Sequence, residues 1–120
     1  MKTELENSQR KVCEKFSAPF VECDYGSKVG ISLNVKAGAR PINGLRVSPE
    51  GGTCGWYIWG GEEWSDDPDF FVPLHLEHLP DWAPLVLPYL GLPPGWRFLV
   101  TEEYEDVWKD PELLEGQRLK

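Results

Sequence analysis

Five carboxylates, Glu62, Glu63, Asp66, Asp67 and Asp69, fall within eight residues of this chain, with Trp59 just before them and Trp64 among them. Clustered acids steer a basic partner and desolvated indoles hold it, so these seven residues are read as a partner-binding surface. The bland alternative is a solvated loop whose tryptophans pack inward. The same oxygens suit a divalent cation, but their spacing does not follow the EF-hand loop. His75 and His78, with Glu77 between them, would share one face of a helix and could hold zinc. The glutamate sits beside the second histidine, so the metalloprotease order is absent, and no third ligand lies nearby. The imidazoles are therefore read as capping carbonyls or facing solvent. Cys13, Cys23 and Cys54 have neither CxxC spacing nor a histidine at a recognisable distance. Gly51-Gly52-Thr53-Cys54-Gly55 comes nearest to a loop exposing a thiol, yet Cys54 at the head of an aromatic run reads as a small buried residue. No GxSxG turn and no phosphate-cradling glycine loop is present. No catalytic residue, metal or cofactor is expected, and the reading is non-enzymatic.

Charge is distributed unevenly. Residues 1–46 carry a net +3, residues 47–96 a net −8 without one Lys or Arg, and residues 97–120 a net −3. The central segment also holds five of the six tryptophans. Such a surface repels phosphate backbones, which disfavours nucleic acid, and it favours a protein with a basic surface. No apolar run approaches the ~20 residues that cross a bilayer, and the polar start has no signal-like apolar core. No membrane partner is expected. An odd number of cysteines fits reduced thiols and a cytoplasmic location.

The elements that must position these residues follow from pattern. With 120 residues and 41% apolar content the chain suits one domain, 1–120, with a single modest core. Residues 1–16 read as an N-terminal helical segment. Val29, Ile31, Leu33 and Val35 alternate like a half-buried strand, the second arm of a hairpin begun at Phe20. Residues 36–53 hold Gly38, Pro41, Gly44, Pro49, Gly51 and Gly52, a breaker-rich excursion with one short strand near Leu45–Val47. Cys54–Trp59 reads as a central strand with Trp56 and Ile58 on one face and Tyr57 and Trp59 on the other. Phe70–Leu74 is a short strand or the lead into a helix. Leu74, Leu76, Leu79 and Trp82 suggest one or two helical turns, and Asp81 is placed to N-cap another, with prolines keeping all of them short. Gly95–Thr101 reads as a strand with Trp96 and Phe98 turned to the core. The charged stretch from Glu102 leads into an exposed segment, and 109–120 form a tail; Trp108 either folds back on the sheet or stays available. The class is α+β, a small antiparallel sheet with short helices packed on one face.

The run Gly55-Trp56-Tyr57-Ile58-Trp59-Gly60-Gly61-Glu62-Glu63, followed by Asp67-Pro68-Asp69, Pro88-Tyr89-Leu90 and Gly95-Trp96-Arg97-Phe98, resembles the family-33 immunity proteins of bacterial polymorphic toxin systems. The likeness covers Cys54 to Phe98, with weaker support from Val29-Gly30; the excursion at 36–53 and the segment Leu74–Leu79 depart from it. The resemblance implies a small cytoplasmic protein that binds and neutralises a cognate toxin domain without catalysis. A metal-dependent hydrolase using His75 and His78, or a housekeeping interaction domain, are the alternatives.

Overall fold

Gln9, Val12, Cys13 and Phe16 recur at helical spacing, so they share one face of helix α1 (Lys2–Lys15) and turn it inward. The buried Gln9 amide is satisfied by the Leu87 carbonyl at 3.1 Å. The helix stops where Ser17 takes φ 61° and Ala18 N–H returns to the Cys13 carbonyl at 2.8 Å, closing the orphaned last turn. The computed structural model describes residues 2–24, 26–49, 51–61, 67 and 69–114.

Six strands form one sheet: β1 (Lys28–Ser32), β2 (Ile42–Arg46), β3 (Thr53–Gly60), β4 (Phe71–His75), β5 (Trp96–Thr101) and β6 (Tyr104–Lys109). Their order is β4-β1-β3-β2-β5-β6, antiparallel throughout except for the parallel β1–β3 pair. Period two does what the aromatic run requires. Trp56 and Ile58 enter the main core, while Tyr57 and Trp59 face the other way. Between Lys28↔Thr53 and Gly30↔Tyr57, β3 uses two more residues than β1, and Gly55 absorbs the irregularity at φ 93°. Gly44 lets β2 run through the middle of the sheet, because a Cβ there would overlap the Phe98 ring.

The main core lies between one sheet face and a helical layer made of α1, a 3-10 turn at Leu76–His78, helix α3 (Leu79–Trp82) and a 3-10 stretch at Pro84–Tyr89. Trp56, Phe98, Ile31, Ile42, Ile58, Leu76, Leu79, Leu90 and Leu92 fill it. The fold is thus α+β, with α1 and the turns of residues 76–89 on one face of the sheet. A second, smaller cluster of Leu45, Trp59 and Leu113 occupies the opposite face, sealed by Val47, Tyr57, Phe70 and Phe71.

Several local expectations are corrected. β1 ends at Ser32, not Val35, because Asn34 binds the end of β3: its amide donates to the Gly60 carbonyl at 2.9 Å and its Oδ1 accepts Gly60 N–H at 3.2 Å. Leu33–Lys36 therefore forms one helical turn, α2, which still returns Val35 to the core four residues after Ile31. β1 pairs with β3 and β4 rather than with residues 20–23, which form no strand. The excursion contains a sheet-interior strand, β2, which starts three residues before Leu45 and ends one before Val47. Asp81 lies inside α3, and Ala83 precedes the next turn. The stretch after Glu102 is not simply an exposed segment but β6, paired with β5 along its whole length, with Trp108 folded back under Arg97; of the expected tail 109–120, residues 115–120 lie outside the described residues. Beyond β6, Pro111–Leu114 forms a 3-10 turn that buries Leu113.

One charge is fully interior. Arg46, 2% exposed, donates to the carbonyls of Cys54 (2.9 Å), Val21 (2.8 Å) and Leu92 (2.8 Å), with longer contacts to Leu90 and Glu22 at 3.4 Å. Among the described residues no carboxylate is paired with it. Backbone carbonyls supply the compensation a buried cation needs, and the guanidinium fork ties the 21–22 and 90–92 segments to β3.

Candidate functional site

The seven residues singled out for partner binding separate into three groups. Trp59 is 4% exposed: it shares a face with Tyr57, and its indole meets Phe71 edge-on at 6.3 Å between ring centroids. Phe70, Phe71 and Leu113 close over that face, so Trp59 is a core residue at the root of the loop rather than a displayed anchor. Asp67 and Asp69 are exposed. Asp67 Oδ1 accepts the Asp69 N–H at 2.9 Å, and the Asp67 carbonyl accepts Phe70 N–H at 2.9 Å, a local turn that feeds the chain into β4. Glu62, Glu63, Trp64 and Asp66 lie outside the described residues.

Strand register shows what surrounds Asp67 and Asp69. The pairs Ser32↔Phe71, Ile42↔Gly60, Ile42↔Val100 and Thr101↔Tyr104 bring the last residues of β1, β3 and β5 and the first residues of β2, β4 and β6 to one end of the sheet. In sheet order β1 lies between β3 and β4, so the end of β3 and the start of β4 stand on either side of the end of β1. At the far side of the same end, Glu102 and Glu103 form the two-residue turn between β5 and β6, pinned by Glu103 N–H to Thr101 Oγ1 at 3.1 Å. Glu102 accepts a forked bond from Arg40, 3.1 Å at Nε and 2.7 Å at Nη2. This contact holds the Glu102 carboxyl below its usual range and the guanidinium above its own. Glu105 is bonded to Lys15 and to the Tyr89 hydroxyl, so its carboxyl is depressed first by the ammonium and then by the phenol. Tyr89 moves the other way: burial, then the Glu105 carboxylate, pushes its phenol above 10.0. A cleft of about 300 Å³ opens beside this turn, lined by Leu85, Tyr89, Glu103, Tyr104 and their neighbours.

The other chemical candidates are placed apart from this surface. His75 is the last residue of β4 and His78 the last of the following 3-10 turn, so they do not share a helix; their exposed rings are 6.5 Å apart. Among the described residues no group of three His, Cys, Asp or Glu side chains is placed to hold a metal ion. Cys13, Cys23 and Cys54 are all buried and free. Cys13 Sγ donates to the Gly91 carbonyl at 3.4 Å, and Cys23 Sγ approaches the Leu90 carbonyl at 3.3 Å. Cys23 and Cys54 interact, which pushes the Cys23 thiol up, with burial adding to it, and pulls the Cys54 thiol down. They belong to the packing around Arg46. No described helix is long and apolar enough to cross a membrane.

In comparison with known families, the model of the Imm33-like domain matches residues 8–110. No curated protein and no solved structure matches the chain.

Proposed function

The chain belongs to the Imm33-like domain family, and from that premise we propose that it is a cytoplasmic immunity protein that binds and neutralises a cognate bacterial toxin domain. It acts by association alone. The toxin's working site is occluded by an acidic surface of the β3–β4 connection, with Glu62, Glu63, Trp64, Asp66, Asp67 and Asp69 as contacts, while Trp59 belongs to the core at the end of β3. The observation that carries this reading is the exposure of Asp67 and Asp69 at the acidic end of the sheet, in a chain of net charge −8. Such a field raises encounter rates with a basic partner and suppresses wrong ones. For a toxin that acts on nucleic acid, its phosphate-binding cleft is the complementary surface, and these carboxylates take the place of phosphates.

The test is the joint substitution of Glu62, Glu63, Asp66 and Asp67 by their amides, followed by toxin protection in cells and by association kinetics with the purified toxin domain. A folded variant should lose protection, and its association rate constant at low salt should fall on the order of tenfold or more. Unchanged protection and kinetics would reject the assigned loop.

A further inference from the structure

Among the described residues three large apolar side chains stand exposed: Leu33 at 61%, Tyr104 at 57% and Leu114 at 47%. Their positions are not scattered. Leu33 immediately follows the last residue of β1, and Tyr104 is the first residue of β6, so register puts both at the acidic end; Leu114 lies beside Gly95, at the other end. In sheet order four strand spacings separate β1 from β6, about 19 Å. A standard interface takes about 800 Å² from each partner, a patch roughly 30 Å across, so one interface spans Leu33, Asp67, Asp69 and the β5–β6 turn together.

The turn supplies more than area. Its cleft is lined by aliphatic Leu85, the aromatic rings of Tyr89 and Tyr104, and the carboxylates Glu102, Glu103 and Glu105. Glu102 is already engaged by Arg40 and Glu105 by Lys15, whereas Glu103 makes no ion pair among the described residues. That combination suits a long cationic side chain, whose apolar stem lies on Leu85 and whose head meets the Tyr104 ring and the Glu103 carboxylate. Arginine fits better than lysine, because its planar guanidinium stacks on a ring while also bonding a carboxylate.

We infer that the toxin contact extends from Asp67 and Asp69 across the strand ends to the β5–β6 turn, where the cleft between Leu85, Glu103 and Tyr104 receives an arginine or lysine side chain of the toxin, with Leu33 as a second apolar contact. The inference rests on the immunity reading and adds its second half. It assigns Glu103, Tyr104 and Leu33 as contact residues, none of which lies in the acidic loop.

The experiment is isothermal titration of the full chain and its variants with the catalytically inactivated form of the toxin domain it protects against. All variants sit at exposed positions, and circular dichroism and melting confirm that each is folded. E103Q/Y104A and L33S should each weaken binding about tenfold or more, the range of central interface contacts, while L114S at the opposite end stays within about twofold. E103K should weaken binding further than E103Q, because the seated cation is then repelled. If D67N/D69N weakens binding but E103Q/Y104A, E103K and L33S leave it unchanged, the extension to the turn is wrong and the immunity reading stands. If the parent chain itself fails to bind, both readings fall together.

Discussion

Replacing Arg46 by Met keeps most of the aliphatic stem and removes only the guanidinium fork. Three carbonyls, the buried ones of Cys54 and Leu92 and the part-buried one of Val21, then lose a charged donor at 2.8–2.9 Å, while the Leu90 carbonyl keeps the Trp56 indole N–H at 3.1 Å. An unsatisfied buried acceptor costs about 1–3 kcal/mol, which gives a gross loss of about 3–6 kcal/mol for the three after partial relaxation. Against that, burying a cation without a carboxylate carries its own desolvation cost, which methionine removes. The net loss is placed at about 2–4 kcal/mol, a large share of the ~5–15 kcal/mol that holds a domain of this size. Urea unfolding followed by tryptophan fluorescence reads it directly: with an m-value of about 1.5 kcal/mol/M, the midpoint should fall by about 1.3–2.7 M. R46K, with one compact head in place of a fork, should fall between the two. An R46M midpoint equal to or above that of the parent would refute the reasoning, because the cation would then be a net burden that the carbonyls do not offset.

Other consequences follow from the same contacts. G44A should lose about 1–3 kcal/mol because its methyl group meets the Phe98 ring, whereas G26A, with only Asp24 side-chain oxygens beyond 3.5 Å, should stay within about 0.5 kcal/mol; equal melting temperatures for the two would contradict the packing. The Glu105 carboxyl is depressed in the folded chain, so its contribution is full above about 4.5 and is lost as pH falls through the lower folded value. With Lys15 exposed this amounts to about 0.5–1 kcal/mol, and E105Q should flatten the fall of melting temperature as pH drops below about 4.5; a parallel decline would count against it. Tyr89 carries the opposite sign. Its raised phenol adds stability below about pH 10 that disappears above it, and Y89F should melt with a shallower alkaline decline than the parent. Finally, a thiol reagent should leave all three cysteines unmodified in the native protein and label them only on unfolding; rapid labelling of one in the folded state would contradict its burial.

Local alternation was enough to divide β3, since Trp56 and Ile58 on one side and Tyr57 and Trp59 on the other follow from period two alone. What covers each face is not local, and that is why Trp59 reads as available in sequence and is core in the fold: Phe70, Phe71 and Leu113 arrive from later in the chain. β1 was overrun for a related reason. Val35 lies at an even spacing from Ile31, which fits a strand, and also one helical turn beyond it, which is what Asn34 selects by binding Gly60. β6 was hidden by its charge. An edge strand is guarded by charged side chains against further pairing, so Glu105, Asp106 and Lys109 give a tail-like composition to a segment that buries only Val107 fully. Arg46 had no legible role at all, because its acceptors come from residues 21–22, 54 and 90–92, which only the tertiary fold assembles. The acidic character of the candidate surface was visible in the loop, but not its continuation to Glu103 and Tyr104, which needs the strand order.

Hydrogen exchange on the chain alone and in complex with the inactivated toxin domain locates the contact without any substitution. Slowed exchange confined to the strand-end segments, residues 67–71 and 101–105 with the start of α2, is the predicted footprint, and the amides of α1 and of residues 76–92 should exchange as they do in the free protein. Protection centred on that helical layer, with the strand ends unchanged, would contradict the account.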